Sequence, residues 1–245
     1  MKYPKFLIAL AFAVALGAEA RANTIITQWD FEGNTTTPNI GSGTASNVGG
    51  TSPGFYSGAG GSRGWGAVAF AAQGTGSGTT GVRFNVSTLT YSNITVSFDH
   101  SSTQVMSRWA QVDYTLNGND WVAGFWNNNG GLSPALTYSS FNVDFSSITG
   151  ANNNASFGFR IVSIFSPLAF DQNNFRSPYN ANSAYMQADA GAVYSPSTSS
   201  INSDYSQYGA WTFDNVTVSS VPEPSALSLL AIGLGVVLRR RRRTV

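Results

Sequence analysis

The sequence predicts an all-β protein, an antiparallel β-sandwich with the topology of a jelly roll. Apolar and polar residues alternate with a period of two wherever a period can be recognised between the two ends of the chain, and no stretch there has an amphipathic helical pattern. Segments rich in Gly, Ser and Asn separate these short runs, as turns separate the strands of a sandwich. The 245 residues include no cysteine, which excludes disulfides, thiolate metal sites and cysteine nucleophiles.

The individual strands are predicted from this alternation. In the clearest of them, Ile94, Val96 and Phe98 occupy one face and polar residues the other. The dipeptide Asn117-Gly118 predicts a hairpin turn, because both residues tolerate the positive φ that tight turns need. The predicted strands cover residues 27–32, 82–86, 93–99, 110–116, 157–161 and 210–218, and the predicted loops cover residues 34–64 and 170–208. In a jelly roll the first and last of these strands lie close together.

The charges separate the chain into a body and two ends. Residues 23–220 contain no lysine, and five arginines face nine aspartates and Glu32, a net charge of −5, although the whole chain carries +1. Nucleic-acid binding is excluded as a function, because it needs clustered Lys and Arg to neutralise phosphates. Residues 23–220 are numerous enough to form one folded domain with a core of its own, and we predict that they do so.

The first 22 residues have the layout of a secretory signal peptide. Lys2 and Lys5 form a positive start, residues 6–16 are apolar, and a pattern of small residues ends at Ala22. Cleavage is predicted after Ala22, with Ala20 as the alternative. The protein is therefore expected to leave the cytoplasm through the Sec machinery.

The last 25 residues form a second targeting segment, predicted at residues 221–245. A short motif precedes an apolar run at residues 225–238, which is predicted to be helical and is short for a permanent transmembrane helix. The basic cluster behind it cannot cross the bilayer cheaply, so it holds the end of the chain in the cytoplasm while the motif stays outside. The motif is Val221, Pro222, Glu223 and Pro224, and the cluster is Arg239, Arg240, Arg241, Arg242 and Arg243.

This sequence of motif, apolar run and arginine cluster resembles the PEP-CTERM sorting signal. The resemblance implies that an exosortase recognises and cleaves the Pro222-Glu223-Pro224 motif after a transient stay in the inner membrane. It also implies that the protein then reaches the cell surface or an extracellular matrix of exopolysaccharide, as in a biofilm. The alternative is a permanent single-pass anchor.

The body also resembles a jelly-roll domain common in PEP-CTERM proteins. The resemblance implies the fold and an external location, and it brings no established activity. The matching strings are GSGTASNVGG at residues 41–50, ITVSFDHSSTQVMSRWAQVDYTLNG at 94–118, FGFRIVS at 157–163 and WTFDNVTV at 211–218.

No catalytic constellation is evident in the sequence. The string GGSRG at residues 60–64 matches a serine-hydrolase motif, but that motif needs a histidine base. The sole histidine, His100, follows a predicted strand and is expected to be a surface loop residue. Glycosidases need two carboxylates at a set separation, and nothing singles out such a pair. We therefore predict a non-catalytic protein, with a secreted glycan-active enzyme as an alternative.

Two kinds of binding site remain. Some carbohydrate-binding jelly rolls hold a structural Ca²⁺ between their first and last strands, and the sequence around Glu32 and Asp214 is similar to those places. The resemblance implies these two carboxylates, with Asp30, as Ca²⁺ ligands. The alternative is that they are exposed carboxylates at strand ends.

Aromatic residues offer the second kind of site, because sugars stack on flat rings. Trp121 and Trp126 follow the predicted hairpin turn and are expected to be exposed, whereas Trp109 and Trp211 are expected in the core. The leading prediction is a matrix protein associated with exopolysaccharide. A carbohydrate-binding module with structural calcium is the alternative, and saturable binding of one defined glycan would distinguish it.

Overall fold

The computed structural model describes residues 23–126, 137–166, 185 and 205–222, and these form two antiparallel β-sheets packed face to face. The predicted all-β sandwich of jelly-roll type is confirmed. Two single turns of 3₁₀-helix, Ala59–Gly61 and Thr149–Ala151, are the only helical elements in these ranges. The strands are β1 (Thr24–Trp29), β2 (Thr44–Val48), β3 (Ser52–Ser57), β4 (Arg63–Val68), β5 (Gly81–Val86), β6 (Tyr91–Ser102), β7 (Ala110–Thr115), β8 (Val122–Trp126), β9 (Ser139–Asp144), β10 (Phe157–Ser163) and β11 (Trp211–Pro222).

Sheet A has the order β3-β4-β11-β6-β9, and β1 also pairs with β11. The first residues of β11 pair with β4, and the later ones pair antiparallel with β1, from Trp29 opposite Val216 to Thr24 opposite Ser220. The opening and closing strands are thus neighbours, as predicted, although β1 begins and ends three residues earlier than expected. Sheet B has the order β2-β5-β10-β7-β8.

Aromatic side chains fill the space between the sheets. Trp29 and Phe84 meet edge to face at 5.1 Å between ring centroids, and Phe84 stacks on Phe159 at 5.0 Å. Trp109 and Trp211 are fully buried, which confirms their predicted place in the core. The chain has no disulfide, and burial of these large rings contributes to its stability.

The predicted loop at residues 34–64 is wrong, because it contains β2, β3 and the start of β4. The many glycines and serines there are typical of turns. In the hairpin formed by β3 and β4, however, some glycines allow neighbouring strands to approach closely. In β4, a Cβ atom on Gly66 would lie 1.7 Å from the carbonyl oxygen of Trp211 in β11. The other predicted loop, at residues 170–208, lies mostly outside the described residues.

His100 is also placed differently from the prediction. Strand β6 continues through Ser102, so His100 lies within the strand and its side chain is fully buried rather than exposed in a loop. Its ring centroid lies 4.9 Å from that of Phe213 and 5.6 Å from that of Trp211. The polar string after Phe98 resembles a loop, yet every second residue of it points into the sandwich.

The targeting segments fall largely outside the described residues. These include the cleavage-site residues Ala20 and Ala22, the motif residues Glu223 and Pro224, the apolar run and the arginine cluster. The backbone of β11 is described through Pro222, which pairs with Tyr91 of β6. In the ranges that the structure describes, no helix is both long and apolar enough to span a bilayer.

Candidate functional site

The outer face of sheet B carries a row of charged residues across three neighbouring strands. Phe84 of β5 and Phe159 of β10 point into the core, so the adjacent residues Arg83 and Arg160 point outward. Arg160 lies opposite Arg83 on one side and opposite Asp113 of β7 on the other. We call this surface the polar face.

An ion pair lies at the centre of the polar face. Nε of Arg160 donates to Oδ2 of Asp113 at 2.7 Å, and Nε2 of Gln111 donates to the other carboxylate oxygen at 2.6 Å. The side chain of Asp113 is only 3% exposed and that of Arg160 21% exposed. Because the pair is mostly buried, each charge is stabilised mainly by the other and little by water.

Trp121 stands over this ion pair. The guanidinium carbon of Arg160 lies 4.8 Å from the centre of the indole ring, a cation–π contact, and the ring remains partly exposed. The hairpin before it is held by Asn117, whose Oδ1 accepts hydrogen bonds from the backbone N–H groups of Asn119 and Asp120. Trp121 thus has the exposure expected of a sugar-stacking residue, and that role stays a prediction.

Trp126, the second predicted stacking residue, lies in β8, where its backbone pairs with Gln111 of β7. Its side chain is outside the described atoms. The other tryptophans of the described ranges are buried and cannot receive a sugar.

An open cleft adjoins the polar face. Its volume is about 360 Å³, within the usual range of about 300–1,000 Å³ for small-molecule sites. Thr44 of β2, Arg83 and Asn85 of β5, Phe157 of β10 and Gly118 of the hairpin contribute to its walls. Arg83 and Asn85 could not be recognised as site residues from the sequence, because each is one polar residue in an ordinary alternating strand.

Asp214, a predicted Ca²⁺ ligand, anchors the loop between β3 and β4. Its Oδ2 accepts hydrogen bonds from the backbone N–H of Ala59 at 2.9 Å and the hydroxyl of Ser62 at 2.6 Å. Its Oδ1 accepts one from the backbone N–H of Asn215. The side chain is fully buried, and burial raises the pKa of its carboxyl above the usual range against the opposing effect of these hydrogen bonds.

Two further carboxylates flank this loop and the strand. Glu32 is exposed, and its Oε1 accepts a hydrogen bond from the backbone N–H of Arg63 at 2.8 Å. Asp99 of β6 lies directly opposite Asp214 and accepts a hydrogen bond from the side-chain amide of Asn215 at 2.9 Å. Because Asp214 has no access to solvent, this aspartate pair is not arranged to act on a glycosidic bond.

Replacing Asp214 by Asn is expected to lower the free energy of unfolding by about 1–2 kcal/mol, because an amide group would face the two donors on the β3–β4 loop. Urea unfolding of the two proteins measures the difference. The exposed Asp120→Asn variant is the matched control, and it should unfold as the wild type does. Equal stability of all three proteins would show that the Asp214 carboxylate does not anchor the loop.

The calcium site remains a prediction. Within the ranges described above, no three side chains of His, Asp or Glu form a group that could hold a metal ion. A Ca²⁺ ion between Glu32 and Asp214 would have to compete with the hydrogen bonds already made by both carboxylates. A rise in the melting temperature with Ca²⁺, absent in Asp214→Asn, would support the site, and calorimetry without heat would remove it.

Comparison with known families identifies the end of the chain. Residues 220–243 match the sequence profile of the PEP-CTERM protein-sorting motif. The predicted sorting signal is therefore confirmed, and the protein carries an export signature at its C-terminus. No curated protein matches the chain in sequence.

Several solved structures have a remote likeness to this chain. The CBM22-1 xylan-binding domain of Xyn10C from Paenibacillus barcinonensis has a TM-score of 0.43 and 13% identity, covering 84% of this chain and 99% of that domain. The K1 cleaved adhesin domain of Lys-gingipain from Porphyromonas gingivalis W83 has a TM-score of 0.42 and 13% identity, with 81% and 98% covered.

The CBM22-1-GH10 modules of endo-1,4-β-D-xylanase 10B from Clostridium thermocellum, complexed with xylohexaose, have a TM-score of 0.40 and 9% identity. There the match covers 74% of this chain and 26% of that one, so the chain spans about a quarter of that protein. The likeness in all three cases concerns the fold, and their ligands are properties of those proteins.

Proposed function

We propose that this exported protein is cut by an exosortase at Pro222-Glu223-Pro224 and then serves outside the cell as a non-catalytic protein that binds extracellular polysaccharide. The observation that carries the proposal is the sorting motif at residues 220–243, which begins inside the last strand of a folded sandwich. Cleavage there removes the tail and leaves the whole described domain on the outer side.

The arrangement of the two chain ends supports processing at both of them. Thr24 of β1 lies directly opposite Ser220 of β11, so the predicted signal-peptide cleavage site and the sorting motif adjoin the same end of sheet A. The sandwich can therefore be complete while both hydrophobic segments still sit in the inner membrane. Trimming near Ala22 and Val221 leaves the pairing of β1 with β11 intact, from Thr24 opposite Ser220 to Trp29 opposite Val216.

The burial of His100 and Asp214 supports a non-catalytic role. A catalytic base must reach substrate, yet the sole histidine of the chain, His100, is buried among aromatic rings. Burial lowers its pKa to about 3. Asp214 is equally inaccessible.

The polar face supports polysaccharide binding. Trp121 offers a partly exposed ring fixed against a guanidinium, which is a rigid platform for the apolar side of a sugar. The neighbouring side chains of Gln111, Asp113 and Arg160 include both donors and acceptors of hydrogen bonds, and binding of sugar hydroxyl groups requires both. The adjoining cleft gives the face a concave part.

Replacing Trp121 by Ala is expected to weaken binding to the exopolysaccharide of the native cells by about 10-fold, because an aromatic anchor in a binding surface contributes about 1–2 kcal/mol. Affinity electrophoresis of the protein recovered from those cells measures the change. Tyr208→Ala is the matched control, since Tyr208 is 77% exposed and lies in the segment before β11. Unchanged retardation of Trp121→Ala, or none for the wild type, would contradict the proposal.

A further inference from the structure

The row of charges on the polar face consists of Arg83, Arg160 and Asp113. Of these three, only Arg83 has no opposite charge beside it among the described residues. Its Nε is buried and has no hydrogen-bond partner there, and the Arg160 beside it is already paired with Asp113. Two arginines directly opposite each other on neighbouring strands repel one another. A buried guanidinium N–H without a partner is unfavourable, so an incoming acceptor would relieve both effects.

A second buried polar atom lies next to Arg83 on the other side. Ser46 of β2 is the cross-strand partner of Arg83, and its Oγ likewise has no hydrogen-bond partner within the described part of the chain. Two residues after Arg83 in β5, the side-chain amide of Asn85 donates a hydrogen bond to Oγ1 of Thr44. Arg83, Asn85 and Thr44 all line the cleft, so the unpaired guanidinium of Arg83 lies at a wall that carries other polar side chains.

The charge of this face is opposite to the net charge of residues 23–220. Two arginines and one aspartate leave the strand residues of the row with one net positive charge, whereas residues 23–220 carry −5. An anionic polymer is therefore repelled by most of the surface and attracted here. A guanidinium presents a planar pair of donors that matches the two oxygens of a carboxylate.

We propose that the cleft beside Arg83 binds the carboxylate of a uronic-acid residue, which makes an acidic polysaccharide the ligand of this protein. This assignment rests on the proposed polysaccharide-binding function and adds the chemical class of the sugar. Arg83 forms the ion pair with the sugar carboxylate, Asn85 and Thr44 lie beside it on the cleft wall, and Trp121 lies farther along the same face for the next part of the polysaccharide. Arg160 stays committed to Asp113.

The test compares alginate, a polyuronate, with the same polymer after chemical reduction of its carboxyl groups, using protein recovered from the native cells. Wild-type protein should bind alginate, and carboxyl reduction should weaken binding by about 10-fold or more, the effect of one charged hydrogen-bonded pair. Arg83→Gln should weaken binding to alginate by a similar factor and Arg83→Lys by less. Binding should also weaken as salt is added.

Arg63→Gln is the matched control, because it removes the same charge from a partly exposed site at the start of β4, outside the cleft, and should bind alginate as the wild type does. Unchanged melting temperatures establish that the variants are folded. Equal binding of native and reduced alginate would overturn the uronate assignment and leave polysaccharide binding intact. Equal, Arg83-dependent binding of dextran sulfate would overturn it in favour of anions in general. Failure to bind any of these polymers or the native exopolysaccharide would overturn both proposals.

Discussion

Acidification from pH 7 to pH 4 is expected to lower the free energy of unfolding by about 3 kcal/mol through His100 alone. Burial lowers the pKa of this imidazole from 6.5 to about 3, and its aromatic neighbours Phe141, Trp211 and Phe213 carry no charge. Below pH 6.5 the unfolded chain binds a proton that the folded chain does not. The contribution of neutral His100 is therefore complete above pH 6.5 and is lost as the pH falls toward 3.

Urea unfolding of the wild type and of His100→Phe at both pH values tests this expectation. Phenylalanine suits an aromatic surrounding and takes up no proton, so the pH dependence of the variant should be smaller by about 3 kcal/mol. Comparing the two pH values within each protein cancels any difference in stability at neutral pH. The same pH dependence in both proteins would show that His100 does not carry it.

Removing the Asp113 carboxylate is expected to destabilise the protein by about 3 kcal/mol, because Asp113→Ala leaves Arg160 mostly buried without its counter-charge. The carboxylate also accepts a hydrogen bond from Gln111, which loses its partner as well. Denaturant unfolding at neutral pH measures this loss. Its size is at the lower end for a buried pair, because a fifth of the Arg160 side chain is exposed to water.

The double variant Asp113→Ala/Arg160→Met separates the ion pair from simple loss of packing. Methionine keeps the length of the arginine stem and has no charge to leave unpaired, so the double variant should be less destabilised than the two single variants predict together. A coupling of about 1–2 kcal/mol is expected. Strict additivity of the two changes would contradict a stabilising pair.

The strands that the sequence predicts well are those with large apolar residues at every second position. In β5, β7 and β10 such residues meet the core, and these strands lie where they were expected. Strands β2 to β4 were missed because small residues predominate in them, and their few large side chains, Phe55, Tyr56 and Trp65, form no regular alternation. In particular Gly66 occupies a place where the backbones of β4 and β11 come too close for any side chain, a requirement that depends on strand pairing and not on local sequence.

The candidate site was predictable only in part for a similar reason. Trp121 could be expected near the surface because it follows an Asn-Gly turn. Arg83, Arg160 and Asp113 are separated by up to 77 residues in the chain, and only the register of β5, β10 and β7 brings them into one row. The sequence shows only one charged residue in each of three alternating strands. That these residues form one site becomes clear only when the order of the strands in the sheet is known.

Intact mass of the protein recovered from the outside of its native cells tests the central claim most directly, with Glu223→Ala as the comparison. We expect a wild-type chain that begins near Asn23 and ends near Val221, and a variant that keeps its C-terminus and stays in the membrane. Wild-type protein outside the cell that still carries the tail through Val245 would contradict processing at the sorting motif and make the tail a permanent anchor.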